Sequence, residues 1–258
     1  MLELIDTHAH IASADFDGDR NEVLARARAV GVVSVIAVAE GLVDSRRSLE
    51  LAGGHPLLRA AAGVHPDRPV ETAAEDFLSE VEAVCELVRR NRERLFAIGE
   101  VGLDYWRAKQ EPERALQREV LRRFSQLSRE VELPLSVHSR SAGRHVIDLL
   151  LEARPHAVVL HAFDGKAASA LPGVSAGFFF SIPPSITRSK QKQKLVRRLP
   201  LECLLLETDS PVLGPNREER NEPSNVRIAA EEVASFTTST LEEVARVTTA
   251  NARRVFRL

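Results

Sequence analysis

Residues 95–104 read Leu95-Phe96-Ala97-Ile98-Gly99-Glu100-Val101-Gly102-Leu103-Asp104, an apolar run that breaks off on carboxylates, and a long charged segment, 111–132, follows it. In that segment Leu116, Val120, Leu121, Phe124 and Leu127 recur three and four apart with charge between them, the period of a helix with one buried face. The apolar part, 95–100, is continuous rather than alternating, as in a strand covered on both faces. The same strand-then-helix unit repeats outward. Similar apolar runs occupy 2–6, 32–40 and 57–65 upstream, and 133–138, 157–161, 177–182 and 201–209 downstream. Helical patterns fall at 19–30, 44–52, 75–94, 142–153, 189–198, 225–236 and 241–247. Eight strands, each followed by a helix or helical turn, in 258 residues predict an α/β fold of the (β/α)8 TIM-barrel kind. A doubly wound open sheet is the competitor, because βαβ repetition is common to both. No low-complexity stretch or long Pro/Gly linker interrupts the pattern, so residues 1–258 are expected to form one domain.

Composition narrows the function. With Lys+Arg 35 against Asp+Glu 37 the formal charge is -2, which excludes a broadly basic coat for nucleic acid. No apolar run approaches the roughly 18 residues of a membrane span. The first residues run straight from an apolar strand into a polar motif, so no cleavable signal is expected. Cys85 and Cys203 are far apart and outside metal-ligand spacing, which predicts free thiols and an intracellular protein, cytoplasmic, nuclear or both.

The polar residues gather at strand ends. Strand one closes on Asp6-Thr7-His8-Ala9-His10, strand three on Gly63-Val64-His65-Pro66, and strand four on Glu100 and Asp104. Strand five ends in His138-Ser139-Arg140, strand six in His161-Ala162-Phe163-Asp164-Gly165, and strand eight in Glu207-Thr208-Asp209-Ser210-Pro211. Barrel enzymes build their sites at this carboxyl face. Residues two apart on a strand share a face, so His8 and His10 can grip one cation together, and Glu207 and Asp209 point alike. His138, His161, Glu100 and Asp209 converge from other strands. Four imidazoles and two carboxylates exceed the needs of one four-coordinate ion and suit two neighbouring divalent cations, with Glu100 as the bridge. No lysine stands at a strand end, so a modified lysine has no candidate as the bridge.

These motifs, spread from the first strand to Arg220-Asn221-Glu222-Pro223, resemble the TatD family of metal-dependent deoxyribonucleases, and within it the TatD DNase domain-containing subgroup of animals. Phe180-Ser181-Ile182-Pro183-Pro184-Ser185 and the strand-six motif carry the subgroup likeness. The resemblance implies a (β/α)8 barrel, a binuclear divalent-metal site and hydrolysis of DNA phosphodiesters, with 3′-to-5′ exonuclease action and cutting at abasic sites. Carried over position by position, it implies His8, His10, Glu100, His138, His161 and Asp209 as metal ligands. Two places after Phe163, where the family pattern often has Ser or Thr, this chain has Asp164 before Gly165, which bears on substrate contact and not on the ligands.

Each residue also has a plainer reading. A lone His-x-His pair is most often filler, and four further ligand types at four further strand ends argue against that here. The reading assigns Asp209 as ligand and proton acceptor, Glu100 as bridging catalytic carboxylate, and Arg140, with His65, as phosphate contacts. His65 could equally cap its strand, and Arg140 could pair with a carboxylate. Asp6 and Glu207 are expected to orient ligand imidazoles. Glu40 and Arg220 have no assigned role. His55, His145 and His156 read as surface residues, and Cys203 as core. In the basic run 188–198, Lys190, Lys194 and Arg197 share a helical stripe that could follow a DNA backbone or merely be solvated. Mg, Mn and Zn all remain candidates for the ions, DNA ends, single strands or abasic sites for the substrate, and a monomer for the assembly. The rival functions are an amidohydrolase or esterase on the same barrel, and a catalytically silent scaffold.

Overall fold

The computed structural model describes residues 2–67 and 73–258. Eight strands, β1 (Leu4–Ala9), β2 (Val32–Ala37), β3 (Leu58–Ala62), β4 (Leu95–Gly102), β5 (Leu135–His138), β6 (Val158–Leu160), β7 (Phe179–Ile182) and β8 (Leu204–Leu206), pair in parallel in chain order. Between and after them run α1 (Arg20–Ala29), α2 (Leu42–Gly54), α3 (Ala74–Arg90), α4 (Glu111–Val131), α5 (Gly143–Ala153), α6 (Ala167–Ser175), α7 (Lys190–Val196), α8 (Val226–Phe236) and α9 (Leu241–Phe256). The seam between β1 and β8 is joined by Thr7 Oγ1 donating to the Leu206 carbonyl at 2.8 Å, by Asp209 N–H to the His8 carbonyl at 2.8 Å, and by a parallel bridge between Ala9 and Ser210. The order β1 to β8 with that seam is the (β/α)8 barrel, and the doubly wound alternative falls.

Alternation along the strands sorts the core into two layers. Leu4, Val35, Ala60, Ile98, Leu135, Leu160, Phe180 and Leu204 pack under the surrounding helices. Ile5, Ile36, Ala61, Ala97, Val159 and Leu205 form a separate cluster inside the barrel, and Ala252, Val255 and Phe256 of α9 join it. Thr249 Oγ1 donates to the Glu3 carbonyl, and Asn251 Nδ2 to the carbonyls of Leu201 and Leu204, all at the amino ends of β1 and β8. α9 therefore stoppers the amino end, which leaves the carboxyl end as the open one.

Two helices depart from the pattern in the sequence. α6 lies where the sequence pattern places no helix, and Pro172 and Gly173, both poor residues for a helix interior, fall in its second half. α9 runs to Phe256 rather than stopping at 247, since Thr248 and Thr249, weak helix formers, are held by the carbonyls of Val244 and Glu3. β1 and β4 run on past the apolar stretches and carry His8 and Glu100 within the sheet, whereas β2, β3 and β8 end before their polar termini, which turn out of the sheet toward the site.

Candidate metal centre

Glu100 stands at the middle of the carboxyl face, buried, on the last half of β4. Its backbone needs glycine on both sides. A Cβ on Gly99 would lie 2.6 Å from the Ser136 Cβ, and one on Gly102, whose φ is +149°, would lie 2.2 Å from the His138 carbonyl oxygen. The motif thus lets β4 press against β5 where both deliver site residues.

The two oxygens of Glu100 face different partners. Oε2 lies 3.3 Å from His8 Nε2 and 3.2 Å from His10 Nε2, and both nitrogens are 3.4–3.5 Å from Asp209 Oδ1. Oε1 lies 2.6 Å from His138 Nδ1, 2.7 Å from His161 Nε2 and 3.5 Å from His65 Nε2. Two donor clusters therefore share one carboxylate. All six residues read as ligands come together, and His65 joins them. Asp209 reaches the centre through a left-handed turn, φ 55°, a conformation a non-glycine residue adopts at a cost and that clusters at functional sites.

Charge in this cluster is unbalanced in a way that suits cations. Burial, with His161 alongside, pulls His8 down to about 4, so its ring is neutral near pH 7. Burial works against charge on His138 too, but the carboxylates of Asp104 and Glu100 overcome it and hold the ring up to about 10. His10 is raised well above its ordinary value, burial opposing and Asp209 and Glu100 prevailing. Protons thus stand where a dication would neutralise the same carboxylates. The fit is further supported by His8 Nε2, a fully buried ring nitrogen without a hydrogen-bond partner, aimed at two carboxylates. Its Nδ1 pairs with Ser136 Oγ at 2.9 Å, so Nδ1 can carry the proton and Nε2 the lone pair. Imidazole nitrogens with carboxylate oxygens are a donor set for divalent cations.

The surrounding carboxylates are partly as expected. Glu207 accepts from Ala162 N–H at 2.8 Å and from Ser181 Oγ, and lies 3.9 Å from His161 Nδ1, so it fixes the strand-six turn rather than bonding the ring. Asp6 does not orient an imidazole. It accepts from the N–H and hydroxyl of Thr208, at 2.9 and 2.6 Å, and from the His8 N–H, locking β1 to the end of β8. The imidazole-orienting partners missed in the sequence are Ser136 for His8, Asp67 for His65 (2.6 Å) and Asp104 for His138 (3.2 Å). Asp104 closes strand four on the page of the sequence and could have been found there; Ser136 lies inside an apolar run and gave no signal. Glu40 is exposed, 3.6 Å from His10 Nδ1.

A cleft of about 910 Å³ opens over the centre, and Arg140, His65, Trp106, Asp164 and Lys192 line it with His10, Glu100, His138, His161 and Asp209. The basic run meets the cleft through a different residue from the expected stripe. Lys192, 8% exposed, points inward and donates to the Ala162 carbonyl at 2.9 Å, whereas Lys190 and Lys194 are exposed outside the cleft lining and Arg197 stacks on Phe236. Residues two apart on a helix diverge, so the inward turn of Lys192 turns Lys190 and Lys194 away. Asp164 accepts from Ser141 N–H at 2.7 Å, tying the strand-five and strand-six loops. His145 and His156 are exposed and Cys203 is buried, as read, while His55 is half-buried.

The sequence profile described as TatD related DNase matches residues 5–257. The chain belongs to the TatD family. A human relative named Deoxyribonuclease TATDN3 is 45% identical, covering 98% of this chain and 94% of its own length. A Salmonella typhimurium relative named 3′-5′ ssDNA/RNA exonuclease TatD is 31% identical, covering 98% of both. The crystal structure of YJJV, a TatD homologue from Escherichia coli K12, superposes with a TM-score of 0.90 at 27% identity, covering 99% of this chain and 98% of that one. This TatD-family chain is a metal-dependent hydrolase acting on ester bonds. Among the described residues no helix is long and apolar enough to cross a membrane.

Proposed function

We propose that this chain is a two-metal deoxyribonuclease that removes nucleotides from 3′ ends and cuts at abasic sites. One observation carries the reading: a single buried carboxylate, Glu100, presents one oxygen to His8 and His10, which also face Asp209, and the other to His138 and His161. His8, His10 and Asp209 would hold one divalent ion, His138 and His161 the second, with Glu100 across both. Mg, Mn and Zn are all compatible with mixed imidazole and carboxylate donors. Bound there, the ions supply Lewis acidity to the scissile phosphate and lower the pKa of a water.

The chain's own groups then divide the work. Asp209 accepts the proton of the attacking water, since its carboxylate lies at the centre on the side of His8 and His10. Lys192 and Arg140 line the cleft and offset the charge that develops on the phosphoryl oxygens. His65, its Nδ1 held by Asp67, turns Nε2 toward the centre as a further phosphate or ligand contact. The exonuclease direction draws on the name of the Salmonella relative. A net charge of -2 favours ends and lesions over tracking along duplex. The rest of the reading is a single domain acting as a monomer in the cytoplasm or nucleus, where buried thiols such as Cys85 and Cys203 stay reduced.

The test is an assay of end-labelled single-strand, duplex and abasic oligonucleotides after reloading with Mg, Mn or Zn, with metal content measured per chain. Two ions per chain and stepwise loss from the 3′ end are expected. Glu100→Gln removes the charge that offsets two dications, and should lower turnover by orders of magnitude and weaken at least one ion. Turnover of amides or lactones without phosphodiesters would replace the reading, and near-normal Glu100→Gln turnover with full metal would end the bridging role.

A further inference from the structure

Trp106, the chain's one tryptophan, is 48% exposed and lines the cleft. Leaving so large an aromatic half in water forfeits burial that the core would reward. Its ring is nonetheless held. The Arg140 guanidinium carbon lies 3.8 Å from the ring centroid, close enough for face-to-face stacking. The turn beneath is pinned by Asp104, whose Oδ1 accepts from the N–H groups of Trp106 (2.9 Å) and Arg107 (2.8 Å). The other oxygen of the same carboxylate lies 3.2 Å from His138 Nε2, and His138 Nδ1 touches Glu100. Two hydrogen-bonded links therefore set the indole against the metal centre.

The cleft is also polarised. Asp15, Glu40 and Asp44, which follow β1 and β2 (Asp44 in the first turn of α2), line the cleft together with Arg107, Arg140 and Lys192, which follow β4, β5 and β7, so the barrel order puts the acids on one wall and the cations on another. The acids on the basic side are engaged: Asp104 with His138, Asp67 with His65, Asp164 with Ser141. An anionic strand anchored at the centre is repelled by the first wall and drawn along the second, past Trp106. Arg140 stacks closely on the indole, whereas the Lys109 ammonium stands 5.7 Å from the ring centroid on a flexible stem that a flat aromatic partner can displace. A base within a duplex is already stacked on both sides and paired at its edge, so only an unpaired base can take that place.

We infer that Trp106, backed by Arg140, is a stacking subsite for one unpaired nucleobase beside the scissile phosphate, and that it makes the enzyme select single-stranded or frayed ends. This rests on the deoxyribonuclease reading and adds the contact that reads strandedness.

The chain's lone tryptophan makes the test direct. A single-stranded oligonucleotide with phosphorothioate linkages is titrated into the metal-loaded protein while indole emission is followed. Stacking should quench the emission. For the variants, which lack the indole, binding and the abasic walk are read from the fluorescence anisotropy of a labelled oligonucleotide. Trp106→Ala should weaken binding about tenfold, and Trp106→Phe should restore most of it, from the usual worth of one base–aromatic stack. An abasic position is then walked along the oligonucleotide. Wild type should lose affinity at one position near the cleaved bond, and Trp106→Ala should lose nothing further there. A structural role for the indole would give no such position dependence. Unquenched emission, a flat abasic walk or an unchanged Trp106→Ala affinity in a protein that binds and cleaves DNA would overturn the subsite alone. Wild type that neither binds nor cleaves the oligonucleotide would overturn the deoxyribonuclease reading with it.

Discussion

Lys192 is a buried cation that donates to the Ala162 carbonyl, with Glu207, Asp164 and Asp209 around it. Ala162 is gripped from the other side by Glu207, so lysine and glutamate together hold the turn beside His161. An ammonium has three donors, and the cleft-facing position leaves the remaining ones for phosphate. Lys192→Met should raise the KM for phosphodiesters roughly tenfold, the worth of a charge-assisted hydrogen bond, with metal content retained. Loss of metal instead would make the lysine a support for the His161 turn. Burial also pulls Lys192 below its ordinary value, so its charge disappears at lower pH than that of a free lysine. The KM should therefore climb with rising pH at a lower pH than the titration of a free lysine, and Lys192→Arg, which stays charged, should flatten that climb.

At the scale of elements, the segment after β8 is fastened by the Arg220-Asn221-Glu222-Pro223 motif, whose role was open in the sequence. Arg220 stacks on Phe16 and pairs with Asp19, and Glu222 takes a two-pronged contact from Arg26 of α1. Between them Asn221, 1% exposed, donates to the carbonyls of Thr208 and Val212 at 2.7 Å and accepts from Asn225. The exposed ion pairs and the buried amide should separate on substitution. Arg220→Ala should cost under about 1 kcal/mol, as surface pairs do. Asn221→Ala strands two carbonyls and should cost about 1–3 kcal/mol. It should also speed proteolytic cleavage between 211 and 222, because this amide spans the turn that follows Asp209. Thermal unfolding and limited proteolysis measure both, and equal losses in the two variants would remove the distinction.

Across the whole molecule, the two ends of the barrel have opposite tasks. The amino end is filled by Ala252, Val255 and Phe256, and the carboxyl end by charge. Phe256→Ala should cost about 3–5 kcal/mol through the cavity it leaves, while KM and metal content in the folded fraction stay as in wild type. Denaturant unfolding checks the first, and steady-state kinetics with metal analysis the second; a loss of metal would mean that the stopper also shapes the centre.

The amino-acid sequence alone determined the strand–helix repeat and the six candidate ligands, and the seam between β1 and β8 decided for the barrel over the open sheet. Apolar runs with helical segments between them mark buried parallel strands, and a ligating side chain must interrupt such a run at its end, where a pattern reading sees it. His8, His10, Glu100, His138, His161 and Asp209 were legible for that reason. Tertiary structure alone decided what crosses between elements. Whether Ser136 or Asp6 bonds an imidazole depends on strand register and side-chain direction, which local periodicity does not encode. Which lysine of 190, 192 and 194 faces the cleft depends on how α7 is rotated against the barrel. That Trp106 lies under Arg140 follows from β4 and β5 being neighbours, with the loops after them meeting at the rim. Local pattern is set by nearest neighbours along the chain, whereas these contacts are set by packing between segments tens of residues apart.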